Sequence, residues 1–210
     1  MSDTSRTATA NGTADIDAAR AARKALRLRL IEARTNMSTA RRQAADTQLE
    51  RHLRALLAQL APASLGFCWP YRGEFDARAV VRDWLAADPL RWAALPVVGA
   101  TGTPMRFRRW RLDAEMPLDR YGIPFPGEGP DLTPALLLVP CNGFDARGYR
   151  IGYGAGHFDR TLAAMRPTPI AVGIAYELGR IDNVQPHALD LPMDWVVTEC
   201  GRFCSTDSAK

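Results

Sequence analysis

The chain is almost without lysine. Lys24 and Lys210 are its only two, so nearly all of the positive charge is arginine. Arginine offers a planar fork of donors that fits phosphate and carboxylate, where lysine offers a point charge. Long apolar runs are missing as well. None reaches the ~18 residues that a membrane span needs, and the opening MSDTSRTATANGTAD has no apolar core of the kind a secretory signal carries. A cytoplasmic protein without a membrane partner is expected. Cysteine is sparse, at 68, 141, 200 and 204. No histidine or second pair is placed to complete a zinc site with Cys200 and Cys204, so reduced thiols are expected. Basic runs are absent too: the net charge is +4, but 23 acidic residues are interspersed with the arginines. Nucleic acid is therefore not an expected partner.

What is present fits one sizeable core in 210 residues, 47% of them hydrophobic. Residues 1–14 have no hydrophobic pattern and read as a disordered tail; residues 15–210 read as a single domain. The stretch DIDAARAARKALRLRLIEAR is rich in helix formers. Leu26, Leu30 and Ala33 form its narrow apolar stripe, and Arg20, Arg23, Arg27 and Arg34 gather on another face. Ser38 reads as the N-cap of a second helix reaching about Leu60. After Pro62 short apolar strands (SLGFCW, RWAALPVV, MRFRRW, ALLLV, IAVGIA, DWVVT) alternate with helices, one carrying Val80, Val81, Trp84 and Leu85 with Asp76 as its cap candidate, the other over 158–166. That alternation predicts an α/β fold with a mostly parallel sheet covered on both faces. Residues 113–134 show no clear element.

The passage that bears on function is GYRIGYGAGHFDR, residues 148–160. It follows a buried strand and opens a helix, the place where open α/β sheets bind ligands. Glycines at 152, 154 and 156 let backbone come close to a ligand. The first turn of the helix adds free N–H groups and a positive dipole end. The spacing is neither the dinucleotide GxGxxG nor a P-loop, and glycines that merely make turns remain an alternative. Arg147, Arg150 and Arg160 surround the loop. Asp159, in the first helical turn, either complements the dipole or holds Mg²⁺ beside phosphates.

At these residues the chain resembles the 5-formyltetrahydrofolate cyclo-ligase family, also called methenyltetrahydrofolate synthetases. LLLVPCNGFDARGYRIGYGAGHFDRTL is similar to the family signature, and RKALR, WPYRGEFD, LPVV, MRFRRW, YGIPFP, AVGIAYE and DLPMDWVVTE follow the family's order. The resemblance implies a three-layer α/β fold like that of sugar-phosphate isomerases and CoA transferases. It also implies a ligase of folate and one-carbon metabolism that uses ATP and Mg²⁺ to close 5-formyltetrahydrofolate into 5,10-methenyltetrahydrofolate. Carried over residue by residue, Arg150, Ile151, Gly152, Tyr153, Gly154, Ala155, Gly156, His157 and Phe158 would cradle ATP, with Arg150 the catalytic cation. Arg23 or Lys24, with Arg27, would reach the phosphates from the first helix. Trp69, Glu74 and Tyr153 to His157 would border the folate, and Asp159 and Asp190 would hold Mg²⁺. Asp194 is the competing acid.

The chain departs from the family pattern at His157-Phe158 (two tyrosines), Phe125 (an acid), Gly179 (often Gln) and Leu189 (His). These departures keep two alternatives open: an ATP-binding paralogue with another substrate, and a non-catalytic folate or nucleotide binder. A monomer is expected.

Overall fold

The computed structural model describes residues 5–205, with side chains from Ala18 onward. Helix α1 spans Ser5–Thr35 and helix α2 spans Thr39–Leu60. The backbone is thus helical from Ser5, inside the stretch read as a tail; residues 1–4 lie outside the described residues. Ser38 caps α2 as its sequence position suggests, its side chain accepting from the Arg41 N–H. The helix ends at Ala61 in the left-handed conformation, immediately before Pro62, which cannot continue a helix.

Ten strands follow: β1 (Ser64–Gly66), β2 (Trp92–Val97), β3 (Arg106–Arg109), β4 (Asp131–Leu132), β5 (Leu136–Pro140), β6 (Gly143–Phe144), β7 (Arg150–Ile151), β8 (Ile170–Ile174), β9 (Trp195–Thr198) and β10 (Gly201–Cys204). Helices α3 (Arg78–Ala86) and α4 (His157–Ala164) lie between them. Eight strands form one sheet in the order β10-β9-β8-β5-β1-β2-β3-β4. The five from β9 to β2 are parallel, while β10, β3 and β4 close the two sides antiparallel.

The central strands are apolar on both faces, and their alternation sorts two cores. Leu136, Leu138, Val172, Ile174, Val197, Ala93 and Leu95 face α2 and α3. Leu137, Val139, Ala171, Val196 and Ala94 face the other way, toward Leu162 of α4 and Met193. Helix, sheet, helix is the three-layer arrangement expected. Fully buried Leu49, Leu53 and Leu56 fix α2 on its face, each contributing about 1.5–3 kcal/mol of burial. Among the described residues no helix is long and apolar enough to cross a membrane.

Strand β4 falls at Asp131–Leu132, inside the stretch 113–134 read as having no clear element, and two further elements depart from the expected plan. Between β5 and the glycine loop the chain makes a small antiparallel hairpin, β6 with β7. Its turn is held by Asp145, which accepts from the Arg147 and Tyr149 N–H groups. The second is β10, which pairs only with β9 and is mostly exposed. Neither carries the apolar periodicity that marks a strand in sequence.

Candidate active site: two clefts sharing a wall

The hairpin decides where α1 lies. Leu30 of α1 packs on Ile151 of β7 and on Val184, with Leu26, Tyr149 and Ile181 around them. The apolar stripe read from the sequence is therefore seated, and the arginines of the other face are carried over the glycine loop. Arg27 donates through Nε to the Gly152 carbonyl at 2.7 Å. Gly154 lies under its guanidinium: its φ is +94°, and a Cβ there would sit 3.0 Å from the guanidinium carbon. The left-handed backbone favours glycine at 154, and a Cβ there would push against the Arg27 guanidinium. Gly156, left-handed at φ 65°, opens α4 without a capping side chain. The first N–H groups of that helix stay directed at the loop.

The result is a cleft of about 460 Å³ bounded by Arg20, Arg23, Lys24, Arg27 and Arg150, by the loop from Gly152 to Asp159, and by His187 and Asp190. Every residue expected to cradle ATP lies here except Ile151. That side chain is fully buried under α1 and faces away. Arg150, itself buried, donates to the Leu191 carbonyl at 3.1 Å and to Asp159 Oδ1 at 3.0 Å. Arg23 donates to Asp190 Oδ2 at 2.7 Å and to the Gln185 carbonyl at 2.9 Å. Lys24 lines the cleft and makes no ion pair among the described residues.

Asp190 precedes β9, and in a parallel sheet strand starts lie away from the binding crevice. β9 is indeed parallel to its neighbour. The segment from Asp190 to Asp194 resolves the conflict by running back along α4. At one end the Leu191 N–H donates to Asp159 Oδ1. At the other, Asp194 Oδ2 accepts from the N–H of Ala171, near the start of β8. Asp190 thereby lines the same cleft as the glycine loop. Asp194 sits at the amino end of the parallel strands, hydrogen-bonded to Ala171 of β8, and lines neither cleft.

A second cleft of about 390 Å³ adjoins the first. Trp69, Tyr71, Tyr121, Ile123, Pro124 and Phe125 make it apolar and aromatic, and Glu74 stands in it. Tyr153, Ala155, His157 and Phe158 belong to both clefts and form the wall between them. Gly154 and Gly156, expected on both sides, border the cationic cleft alone. The Arg78 guanidinium lies 4.3 Å from the Trp69 ring centre and holds it by a cation–π contact.

Glu74 is buried, its side chain 8% exposed. Oε1 accepts from the Tyr153 hydroxyl at 2.8 Å and Oε2 from the Tyr71 N–H at 3.0 Å. Burial raises its pKa above the ordinary carboxylate value, with Arg34, Tyr153 and Tyr71 pulling the other way. The Tyr153 hydroxyl is pushed up by burial and by Glu74. His157 is pushed below the ordinary imidazole value, first by burial and then by Arg160 and Arg120. A neutral ring in the shared wall follows.

Of the four departures from the family pattern, His157 and Phe125 lie on the aromatic cleft, while Gly179 and Leu189 line neither. At Gly179 a Cβ would come within 2.8 Å of the Asn142 carbonyl oxygen, so this backbone has no room for glutamine. Sequence reasoning missed Arg34 at the site. Its spacing groups it with Arg20, Arg23 and Arg27 on one helical face, and that spacing is the available signal.

Fold and site together define the class: a three-layer α/β protein with a cation-lined glycine loop beside an aromatic cleft. The chain belongs to the 5-formyltetrahydrofolate cyclo-ligase family, whose profile matches residues 19–199. It is 25% identical over 179 residues to a 5-formyltetrahydrofolate cyclo-ligase of Haemophilus influenzae, spanning 81% of this chain and 94% of that one. The solved structure of Aquifex aeolicus 5,10-methenyltetrahydrofolate synthetase superposes with a TM-score of 0.75 at 25% identity, covering 90% of this chain and 95% of that one. A 5,10-methenyltetrahydrofolate synthetase from Mycoplasma pneumoniae shares the fold, with a TM-score of 0.67 at 21% identity over 84% of this chain and 98% of that one.

Proposed function

We propose that the chain is a cytoplasmic, monomeric enzyme that closes 5-formyltetrahydrofolate into 5,10-methenyltetrahydrofolate at the expense of ATP, releasing ADP and phosphate. The observation that carries this reading is the shared wall. A cation-lined cleft and an aromatic cleft with a carboxylate meet at Tyr153, Ala155, His157 and Phe158, so two substrates can be brought edge to edge. The formyl oxygen attacks the γ-phosphorus and the bond to ADP breaks. The folate's own N10 then attacks the activated formyl carbon. The carbon–oxygen bond to phosphate breaks, and N10 gives up its proton. Such chemistry needs alignment and charge neutralisation more than covalent help.

Arg150 supplies a fixed charge, because Leu191 and Asp159 hold its guanidinium before substrate arrives. Arg27 is pinned over the loop in the same way. Glu74 accepts hydrogen bonds from the pterin's N–H groups, which a charged acceptor does more strongly than a neutral one.

Among the described residues no cluster of three or more His, Cys, Asp or Glu forms. Asp159 and Asp190 would offer a divalent ion two protein carboxylates, the usual number for Mg²⁺ shared with phosphates. Asp159 Oδ2 and Asp190 Oδ1 carry no hydrogen bond among the described residues, which suits them to hold Mg²⁺. When bound with ATP the ion neutralises charge on the transferring phosphoryl group.

A second reading, an ATP-dependent paralogue with another formylated or carboxylated substrate, is favoured by His157 and Phe125 on the aromatic cleft. Thermal unfolding with each ligand separates the two. Mg-ATP and 5-formyltetrahydrofolate should each raise the melting temperature alone, with about 2.7 kcal/mol of stabilisation at 100 times the dissociation constant. If ATP shifts the melt and formylfolate does not, the second reading replaces the first.

A further inference from the structure

Glu74 sits on a turn whose backbone is unfavourable in isolation. Arg72 has φ +49° and Gly73 φ +75°, both left-handed, and a non-glycine residue in that region needs its surroundings to hold it there. Two arginine side chains do so. Arg34, near the end of α1 and 3% exposed, donates through Nε to the Arg72 carbonyl at 3.2 Å. Arg42 of α2 donates to the Gly73 carbonyl at 2.6 Å and also to the Arg34 carbonyl. The same Arg34 reaches across to the glycine loop, where Nη2 donates to the Tyr153 hydroxyl at 2.9 Å. Nη2 lies 3.9 Å from Glu74 Oε1. One guanidinium thus touches the turn that carries Glu74, the tyrosine of the shared wall and the field of Glu74 itself.

We propose that Arg34 is a positioning residue of the aromatic cleft: it fastens the Glu74 turn to Tyr153 and supplies the counter-charge that lets buried Glu74 act as an anionic hydrogen-bond acceptor for substrate. The proposal rests on the formylfolate reading of that cleft. The groups facing Glu74 are Arg34 from α1, Tyr153 from the glycine loop, the Tyr71 N–H from its own turn, and the neutral thiol of Cys68 beyond β1. Cys141, after β5, feels the same carboxylate and is likewise held neutral by burial. Arg34 is the only cation among them. Without it the burial that already raises the Glu74 pKa is less opposed. The carboxylate then protonates at higher pH, and the acceptor is lost as pH falls through that raised value. Arg34 is not expected to touch either substrate, so nucleotide binding should not depend on it.

Three proteins test this: the parent, Arg34→Met and Arg34→Lys. Formylfolate turnover by the parent comes first; its absence would count against the functional reading itself. In an active background, Arg34→Met should raise the KM for formylfolate about tenfold or more, the loss of roughly one charge-assisted hydrogen bond. Its KM for ATP should stay within about twofold of the parent, the scale of an untouched site. The acidic limb of kcat/KM for formylfolate should move to higher pH. Arg34→Lys keeps the charge but not the fork. It should leave the limb where the parent has it, while raising the KM for formylfolate by a smaller factor. A limb that does not move in Arg34→Met, or that moves equally in both variants, overturns the counter-charge role. An unchanged KM for formylfolate in Arg34→Lys overturns the positioning role. That last comparison stands even if Arg34→Met fails to fold.

Discussion

At the scale of single residues the two clefts can be separated by charge. Glu74 lines the aromatic cleft and not the cationic one. Glu74→Gln keeps the shape and removes the anion, so formylfolate binding should weaken by about 1.5–3 kcal/mol, the worth of a hydrogen bond to a charged group. ATP binding, followed by calorimetry, should hardly change. Equal losses for both ligands would mark Glu74 as a structural acid of its turn.

Asp190 and Asp194 make a second pair. Asp190→Asn should raise the Mg²⁺ concentration needed for half-maximal activity while leaving the fold intact. Asp194 accepts from the Ala171 N–H at the amino end of β8, an interior strand, so Asp194→Asn should lower the melting temperature and leave the Mg²⁺ titration alone. If the Mg²⁺ dependence follows Asp194 instead, the second acid is misassigned. Glu74, Trp69, Asp159 and the glycines were legible because each stands in a motif. Arg34 was not, because a buried arginine on an amphipathic helix looks in sequence like a solvated one.

Elements tell the same story at larger size. Long apolar strands were legible from composition alone: LLLVP and IAVGI form the middle of the sheet. The β6–β7 hairpin was hidden. Its four strand residues are Gly143, Phe144, Arg150 and Ile151, too few to show a period. Yet that hairpin gives α1 its seat and so brings Arg27 over Gly152. The reach of Asp190 was hidden for a related reason, since a segment without periodicity gives no sign of its direction.

Helix α1 yields a prediction of its own. Among the residues whose side chains are described, those that seat it begin at Leu26 and the first to line a cleft is Arg20. Deleting residues 1–14 should leave turnover and melting temperature nearly unchanged. A large loss of either would show that this stretch packs on the body.

At the largest scale, the eight-stranded sheet carries a core on each face and a pair of clefts at the carboxyl ends of its parallel strands. Sparse lysine and abundant arginine match that arrangement: Arg23, Arg27 and Arg150 are each held by an acid or a carbonyl before any anion binds. Preorganisation of this kind favours reaction over simple capture, and the wall between the clefts is where reaction would occur. The most direct test is turnover by the purified full chain, given 5-formyltetrahydrofolate, ATP and Mg²⁺, and followed by the absorbance of the methenyl product. Methenyl product should appear with all three present, in step with ADP and phosphate, and should be absent when any one is withheld. ATP consumed without methenyl product, or no consumption of either substrate, would contradict the cyclo-ligase reading.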